Sequence, residues 1–262
     1  MYKFQKKLFY RLVLKSLFLF LLLISFNKIL SADNIYIGVA SNFFRPIEII
    51  KGDFQNQTSH NIIVTSGSSG SLYSQITNGA PLDIFLSSDQ KLPEMLENNS
   101  KGVAGTRFTY AKGQLQLWTN NKNLLYQKFP PVLNSTIIKY IGIGNPKLVP
   151  YGFAAKEVLL KLGLFEKLKP KLILGKNINQ VFVMGFFGNL DLAFVAKSDV
   201  IIKNNEKKSQ AWDIAQELYS PIKQDAIMLI SGMKKKGVKD FLNFLTSDYI
   251  KDKIRNLGYI VD

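Results

Sequence analysis

Short apolar runs that favour strands alternate with helix-like segments along most of the chain. Residues 35–39 (IYIGV) are apolar, β-branched or aromatic and predict a buried strand, and Ser41 and Asn42 after them are candidate helix N-caps. Residues 62–65 and 83–86 predict two further strands, separated by a helix-like stretch that opens after a serine-rich loop. This strand–helix order predicts an α/β fold with mostly parallel strands.

The second half of the chain repeats the alternation with different residues. Residues 114–118 and 137–143 predict strands, and residues 154–162 predict a helix that Gly163 ends. Further strands are predicted at 171–174, 192–195 and 225–230, and further helices at 181–187, 238–245 and 249–257. Asn177 is the candidate cap of the helix at 181–187. No low-complexity linker separates the halves, so we expect two lobes joined by strands that cross between them.

The first 32 residues differ from the rest. They hold six basic residues and no acidic one, and an apolar run (SLFLFLLLISF) lies between Lys15 and Asn27. That run is shorter than the about 20 residues that a membrane-spanning helix needs. A basic leader, an apolar core and a small residue at Ala32 are typical of a secretory signal peptide. We therefore expect residues 1–32 to be removed and a soluble, exported protein to remain. Leu30 is large for its position before the cleavage site, so an uncleaved anchor is the alternative.

Composition excludes several classes of function. The net charge of +15 is partly in the leader, and no basic stripe interleaved with aromatic residues follows, which disfavours nucleic-acid binding. The absence of cysteine removes disulfides, thiolate metal sites and cysteine nucleophiles. The single histidine, His60, is expected in an exposed turn, and Ser71 stands where a GxSxG motif needs glycine. A serine hydrolase is therefore disfavoured, and the aspartates are too scattered to propose a metal site.

Three loops between a predicted strand and a predicted helix consist largely of small neutral groups. They are residues 40–42 (ASN), 68–70 (SSG) and 177–179 (NIN). Unpaired N–H groups at a helix N-terminus favour an anion, and serine hydroxyls add donors. One such loop is more often a plain helix cap. Three of them in one α/β chain predict an anion-binding cleft beyond the carboxyl ends of the strands.

Five segments in collinear order resemble the periplasmic molybdate-binding proteins of ABC importers. They are VAS (39–41), SGSSGSL (66–72), NGAPLDIFLSSDQ (78–90), GNPKLVPYGFAAKEVLLKLG (144–163) and LAFVAKSD (192–199). The resemblance implies a type II periplasmic-binding-protein fold with two α/β lobes, each a mixed, mostly parallel sheet flanked by helices. It places lobe 1 at residues 33–112 plus 220–262 and lobe 2 at residues 113–219.

The resemblance also implies which residues contact the oxyanion. Ser41 and Ser69 are expected to bind it from the first lobe with a hydroxyl, a backbone N–H or both. Tyr151 and the backbone of Ile178 are expected to bind it from the second lobe. A fifth position, often tyrosine in the family, is Ala196 here, which removes one hydroxyl donor that Tyr151 is expected to replace.

The function implied is that of a periplasmic receptor, not an enzyme. It would capture molybdate or tungstate with neutral donors and deliver it to an ABC permease in the inner membrane. We expect no cofactor, no ligand to a metal cation, no nucleic-acid partner and a monomer. A receptor for another tetrahedral oxyanion such as sulfate is the main alternative, and an exported hydrolase is a weaker one.

Overall fold

A computed structural model describes residues 32–203 and 208–262 of the chain. Residues 33–262 form one compact unit. The predicted signal peptide lies outside the described residues except for Ala32. Within the described ranges, no helix has the length and apolar character to cross a membrane.

The described residues contain ten strands and nine α-helices. The strands are β1 (Asn34–Ala40), β2 (Asn61–Gly67), β3 (Ile84–Leu86), β4 (Phe108–Gly113), β5 (Leu115–Thr119), β6 (Ile141–Gly144), β7 (Leu172–Gly175), β8 (Leu192–Ala196), β9 (Gln210–Asp213) and β10 (Ile222–Met228). The helices are α1 (Phe44–Gln57), α2 (Ser69–Thr77), α3 (Lys91–Asn98), α4 (Pro150–Lys161), α5 (Phe165–Leu168), α6 (Ile178–Phe186), α7 (Lys197–Lys203), α8 (Lys236–Leu245) and α9 (Asp248–Asn256).

The strands form two five-stranded sheets that share one topology. The first sheet has the order β2-β1-β3-β10-β4, and the second has the order β7-β6-β8-β5-β9. In the first sheet only β10 runs against its neighbours, and in the second only β5 does. Four of the five strands in each sheet therefore share one direction. This confirms the predicted α/β fold with two mixed, mostly parallel sheets.

Each sheet is covered by helices and forms the core of one lobe. In β1, Ile35, Ile37 and Val39 alternate onto one face and pack with residues of α1, α8 and α9. The opposite face carries Phe85 and packs with Leu72 of α2 and with residues of α3. The second sheet packs with α4, α6 and residues around them in a separate cluster. The chain passes between the lobes from β4 to β5 and again from β9 to β10.

Several local predictions are wrong in detail. Ser41 and Asn42 do not cap a helix by their side chains: they lie in a 3-10 turn, and α1 begins at Phe44 with no side-chain cap. The strand predicted from residue 137 begins at Ile141. Helix α3 and strand β4 were not predicted, although Leu92, Met95 and Leu96 follow the helical spacing in α3.

The prediction of an exposed His60 is also wrong. Its side chain is only 6% exposed, and its Nδ1 accepts a hydrogen bond of 3.1 Å from the backbone N–H of Asp33. Its Nε2 lies 3.3 Å from Oδ2 of Asp240. The prediction of exposure rested on the polar residues next to His60 in the sequence. In the structure, the segment around residue 237, which is distant in sequence, packs over the imidazole ring.

Candidate functional site

The five predicted site residues all lie at or just after the carboxyl ends of parallel strands. Ser41 follows β1, Ser69 follows β2, Tyr151 follows β6, Ile178 follows β7, and Ala196 ends β8. All five are buried. The carboxyl ends of parallel strands share one edge of a sheet, and this is where α/β proteins bind their ligands.

Contacts between the lobes bring these strand ends together. The backbone N–H of Gly70, next to Ser69, donates a hydrogen bond of 3.1 Å to the carbonyl oxygen of Leu148 in the second lobe. Asn42, next to Ser41, has its Nδ2 3.5 Å from the hydroxyl oxygen of Tyr151. Helix α6, whose first residue is Ile178, lies against the 3-10 turn that contains Ser41. Ser41, Tyr151 and Ile178 are thus linked through adjacent residues or elements, and Ser69 is linked to the loop that precedes Tyr151.

Tyr151 places its hydroxyl group between the lobes. The hydroxyl lies so close to the backbone of Gly113 that a Cβ atom there would come within 2.0 Å of it, so glycine is required at that position. The hydroxyl oxygen accepts from Nε2 of Gln224 at 3.3 Å, and Nδ2 of Asn42 lies 3.5 Å from it. Burial raises the pKa of Tyr151 well above its ordinary value, so the phenol stays protonated. A phenol has one donor and two acceptor sites. In neither contact is the Tyr151 hydroxyl the donor, so among the described residues its proton has no acceptor and is available to a ligand.

Ser69 is the first residue of α2, and its hydroxyl is held by a neighbouring loop. Ser68 caps the helix by accepting a hydrogen bond from the backbone N–H of Ser71 at 3.2 Å. Ser69 itself therefore does not cap the helix. Its Oγ accepts from the backbone N–H of Ser88 at 2.9 Å and lies 2.9 Å from Oγ of Ser88.

Ile178 and Ser41 complete the set of donors. Asn177 caps α6 by accepting from the backbone N–H of Gln180 at 2.9 Å, as predicted. The N–H of Ile178, the first residue of that helix, belongs to the helix-start groups that have no partner within the helix. These groups lie at the positive end of the helix dipole. Ser41 makes no side-chain hydrogen bond within the described part of the chain.

Ala196 differs from the other four because its side chain has no polar atom. It pairs with Leu115 in the sheet and is fully buried. The next residue, Lys197, donates its backbone N–H to the carbonyl oxygen of Gln114 at 3.0 Å, which ties the end of β8 to the crossing between the lobes. The side chain of Ala196 therefore provides no donor, and this position contributes shape alone.

A buried network of neutral polar groups surrounds Asn42, and sequence reasoning missed most of it. Nδ2 of Asn42 donates to Oε1 of Gln224 at 2.9 Å, and the same oxygen accepts from the hydroxyl of Tyr110 at 3.1 Å. The hydroxyls of Tyr259 and Ser198 both reach the carbonyl oxygen of Asn42, at 2.8 and 3.3 Å. The only sequence signal was the place of Asn42 beside Ser41, because the other members come from distant segments.

Two buried carboxyl groups lie near this network, and their surroundings differ. Asp225 forms an ion pair with Nη1 of Arg107 at 2.9 Å and accepts a hydrogen bond from the hydroxyl of Thr109 at 2.7 Å. Asp199 is fully buried, and its Oδ2 has no hydrogen-bond partner. Desolvation raises the pKa of Asp199 to about 7, against the opposing charge of Arg45. Within the described ranges, no group of histidine, aspartate or glutamate residues is arranged to hold a metal ion.

An open groove gives access to the region from solvent. It has a volume of about 610 Å³ and is lined from the first lobe by Gly70 and Ser88 and from the second by Leu148 and Val149. The groove thus borders Gly70 and Ser88, which lie beside Ser69, but none of the five predicted residues lines it.

Comparisons with known proteins agree with this architecture. The family model described as "Bacterial extracellular solute-binding protein" matches residues 35–260. The molybdate-binding protein ModA of Rhodobacter capsulatus is 38% identical over 232 residues, which cover 88% of this chain and 90% of that protein. The molybdate-binding protein ModA of Azotobacter vinelandii is 38% identical over 228 residues, covering 87% and 90%. The solved structure of the periplasmic molybdate-binding protein of Azotobacter vinelandii superposes with a TM-score of 0.83 at 33% identity, covering 87% of this chain and 99% of that one.

Proposed function

This chain belongs to the bacterial extracellular solute-binding protein family, and from that premise we propose that it binds molybdate or tungstate between its two lobes. The observation that carries the proposal is the buried hydroxyl of Tyr151, which accepts a hydrogen bond from Gln224 and donates its proton to no described residue. The relatives that are 38% identical are named as molybdate-binding proteins. We assign the anion contacts to Ser41, Ser69, Tyr151 and the backbone of Ile178, with Ala196 closing the pocket.

The donors are neutral, and this determines how the protein works. Hydroxyl and N–H dipoles held in place by the fold replace the hydration shell of a dianion without a formal positive charge. A buried lysine or arginine would bind many anions tightly and slow their release. Closure of the two lobes about their crossing strands surrounds the anion, and opening releases it. We propose that release occurs to an ABC permease, that the protein acts in the periplasm as a monomer, and that it catalyses no reaction.

The donor set also favours fully deprotonated anions. Monohydrogen phosphate carries a proton that needs an acceptor, and the assigned contacts include no carboxylate, so that proton faces N–H groups and hydroxyls whose own protons point at the anion. An unsatisfied buried polar group costs roughly 1–3 kcal/mol, or about one to two decades in affinity. Sulfate carries no proton but is smaller than molybdate, so a rigid shell of donors cannot contact all its oxygens at once. A sulfate receptor is the alternative function.

A thermal-shift panel of oxyanions tests the proposal on the purified protein. Ligand at about 1,000 times its dissociation constant stabilises a protein by about 4.1 kcal/mol. For a chain of this length the melting temperature should rise by roughly 8–16 °C. We expect molybdate and tungstate to give a shift of that size, sulfate a small one and phosphate almost none. A phosphate shift equal to that of molybdate would contradict the donor-only site, and a sulfate shift larger than that of molybdate would support the alternative.

A further inference from the structure

We propose that Ser88 is a specificity-determining residue that acts through Ser69 and makes the Ser69 hydroxyl an obligatory donor to the anion. The inference rests on the proposed function of the site. Ser88 lies in the loop after β3, two residues beyond the end of that strand, and belongs to the same lobe as Ser69. It is almost completely buried, yet it lines the groove between the lobes.

The hydrogen-bonding capacity of the two serines leads to this role. A serine hydroxyl has one proton and two lone pairs. The backbone N–H of Ser88 occupies one lone pair of Ser69 Oγ, at 2.9 Å. The two Oγ atoms are also 2.9 Å apart, so one hydroxyl donates to the other. Among the described residues, Ser88 Oγ has Ser69 Oγ as its one hydrogen-bond partner.

An anion selects between the two possible directions of this bond. A dianion beside Ser69 attracts its proton, so Ser88 must then donate to Ser69. Both lone pairs of Ser69 are occupied in that arrangement, and its hydroxyl can only donate to the ligand. Ser88 then donates to Ser69, and Ser69 donates to the anion. The first of these two hydrogen bonds polarises and strengthens the second. Ser69 thus cannot accept the proton of monohydrogen phosphate.

Removing the Ser88 hydroxyl should therefore change selectivity as well as affinity. In Ser88→Ala, one lone pair of Ser69 is released, and the hydroxyl can rotate to accept a proton from the ligand. Molybdate has no proton to donate, so it gains nothing from the released lone pair. It loses only the strengthening that Ser88 gives to the hydrogen bond from Ser69. We expect its affinity to fall by about threefold to tenfold, the range of one neutral hydrogen bond. Monohydrogen phosphate should lose less or bind more tightly. Sulfate, which carries no proton, should follow molybdate.

The neighbouring Ser87 provides a matched control. It is fully buried, and its Oγ accepts from the backbone N–H of Asp89 at 3.3 Å and forms no hydrogen bond with Ser69 in the described part of the chain. Ser87→Ala also removes a serine hydroxyl from this loop, but it leaves both lone pairs of Ser69 Oγ occupied. Ser88→Thr keeps the hydroxyl and should keep the selectivity of the unaltered protein.

Titration calorimetry with molybdate, sulfate and phosphate tests the inference. The proteins to compare are the unaltered protein, Ser88→Ala, Ser87→Ala, Ser88→Thr, Ser69→Ala and the double variant that combines Ser69→Ala with Ser88→Ala. We expect the preference for molybdate over phosphate to fall by about tenfold in Ser88→Ala alone. We also expect the double variant to bind molybdate no more weakly than Ser69→Ala does, because Ser88 acts through Ser69.

The alternative outcomes are distinguishable. If Ser88→Ala resembles Ser87→Ala, or if it loses affinity equally for all three anions, the inference is overturned while the proposed function stands. If the unaltered protein binds none of the three anions, both the proposed function and the inference are overturned. Ser88→Gly, which also lacks the hydroxyl, replaces Ser88→Ala if the alanine variant does not fold.

Discussion

The hydroxyl oxygen of Tyr259 lies 3.0 Å from Oγ of Ser198, and this contact joins the C-terminal segment of the first lobe to helix α7 of the second. The same hydroxyl donates to the carbonyl oxygen of Asn42 at 2.8 Å. One phenol therefore connects both lobes with the turn that carries Ser41. Burial raises the pKa of Tyr259 above its ordinary value, so the phenol remains a donor.

Tyr259→Phe should shift the equilibrium of the lobes toward the open state. The variant loses the bonds to Asn42 and Ser198, and a neutral hydrogen bond contributes roughly 0.5–1.5 kcal/mol. We expect molybdate affinity in titration calorimetry to fall by about threefold to tenfold, and the radius of gyration without ligand, from X-ray scattering, to rise. Tyr140→Phe, at a half-exposed tyrosine of the second lobe, is the control. Unchanged affinity and unchanged scattering in Tyr259→Phe would show that this contact does not control closure.

Ser69→Ala should weaken anion binding and leave the fold intact. Its hydroxyl is predicted to face a buried charge, and hydrogen bonds to charged groups contribute roughly 1.5–3 kcal/mol. This corresponds to a loss of affinity of about tenfold or more, measured by titration calorimetry with molybdate. Ser68→Ala removes the helix cap instead, so it should lower the melting temperature with a smaller change in affinity. A Ser69→Ala variant within about a factor of two of the unaltered protein would exclude this residue from the site.

Tyr151→Phe tests whether Tyr151 supplies the donor that Ala196 lacks. The phenylalanine ring keeps the packing but removes the proton that the network leaves unused, so binding should weaken by about 1 kcal/mol or more. Ala196→Tyr should not restore it, because Ala196 is fully buried in the sheet and a large side chain there would strain the core. The hypothesis that Tyr151 supplies the donor absent at Ala196 would be disproved if Tyr151→Phe had no effect on molybdate affinity and Ala196→Tyr raised it.

The raised pKa of Asp199 predicts that the free energy of unfolding depends on pH. Its pKa is raised to about 7 in the folded chain, from an ordinary value of 3.8. Between these values the folded state keeps the proton and the unfolded state has lost it, so raising the pH favours unfolding. The stability that protonation provides is complete below about pH 4 and is lost as the pH rises through about 7. The total loss is at most about 4 kcal/mol.

Asp199→Asn removes this titration and should flatten the curve. The amide is neutral at every pH, so the variant should be more stable than the unaltered protein at about pH 8, and the two should converge at about pH 4. Denaturant unfolding across this pH range measures the difference. Asp248→Asn, at an exposed carboxyl group, is the control and should keep the slope of the unaltered protein. Parallel curves for the unaltered protein and Asp199→Asn would contradict the raised pKa.

The sequence alone determined the class of fold and the positions of the candidate donors. Strand-like runs followed by serine, glycine or asparagine predicted the α/β order and placed Ser41, Ser69 and Ile178 after strands. These features are local: hydrophobic period and helix capping depend on residues within a few positions of each other. The cap at Asn177 was predicted for this reason, and the structure confirms it.

The tertiary structure alone decided which polar groups share the interface between the lobes. Asn42 contacts Gln224 and Tyr259, which are 182 and 217 residues away in the chain. Asp199 is shielded from solvent, and His60 is buried under a helix that is distant in sequence. Both result from packing between segments that are far apart along the chain. A polar side chain carries the same capacity for hydrogen bonds in any sequence context, so its partners are settled only when apolar burial packs the helices against the sheets and brings the strand ends together.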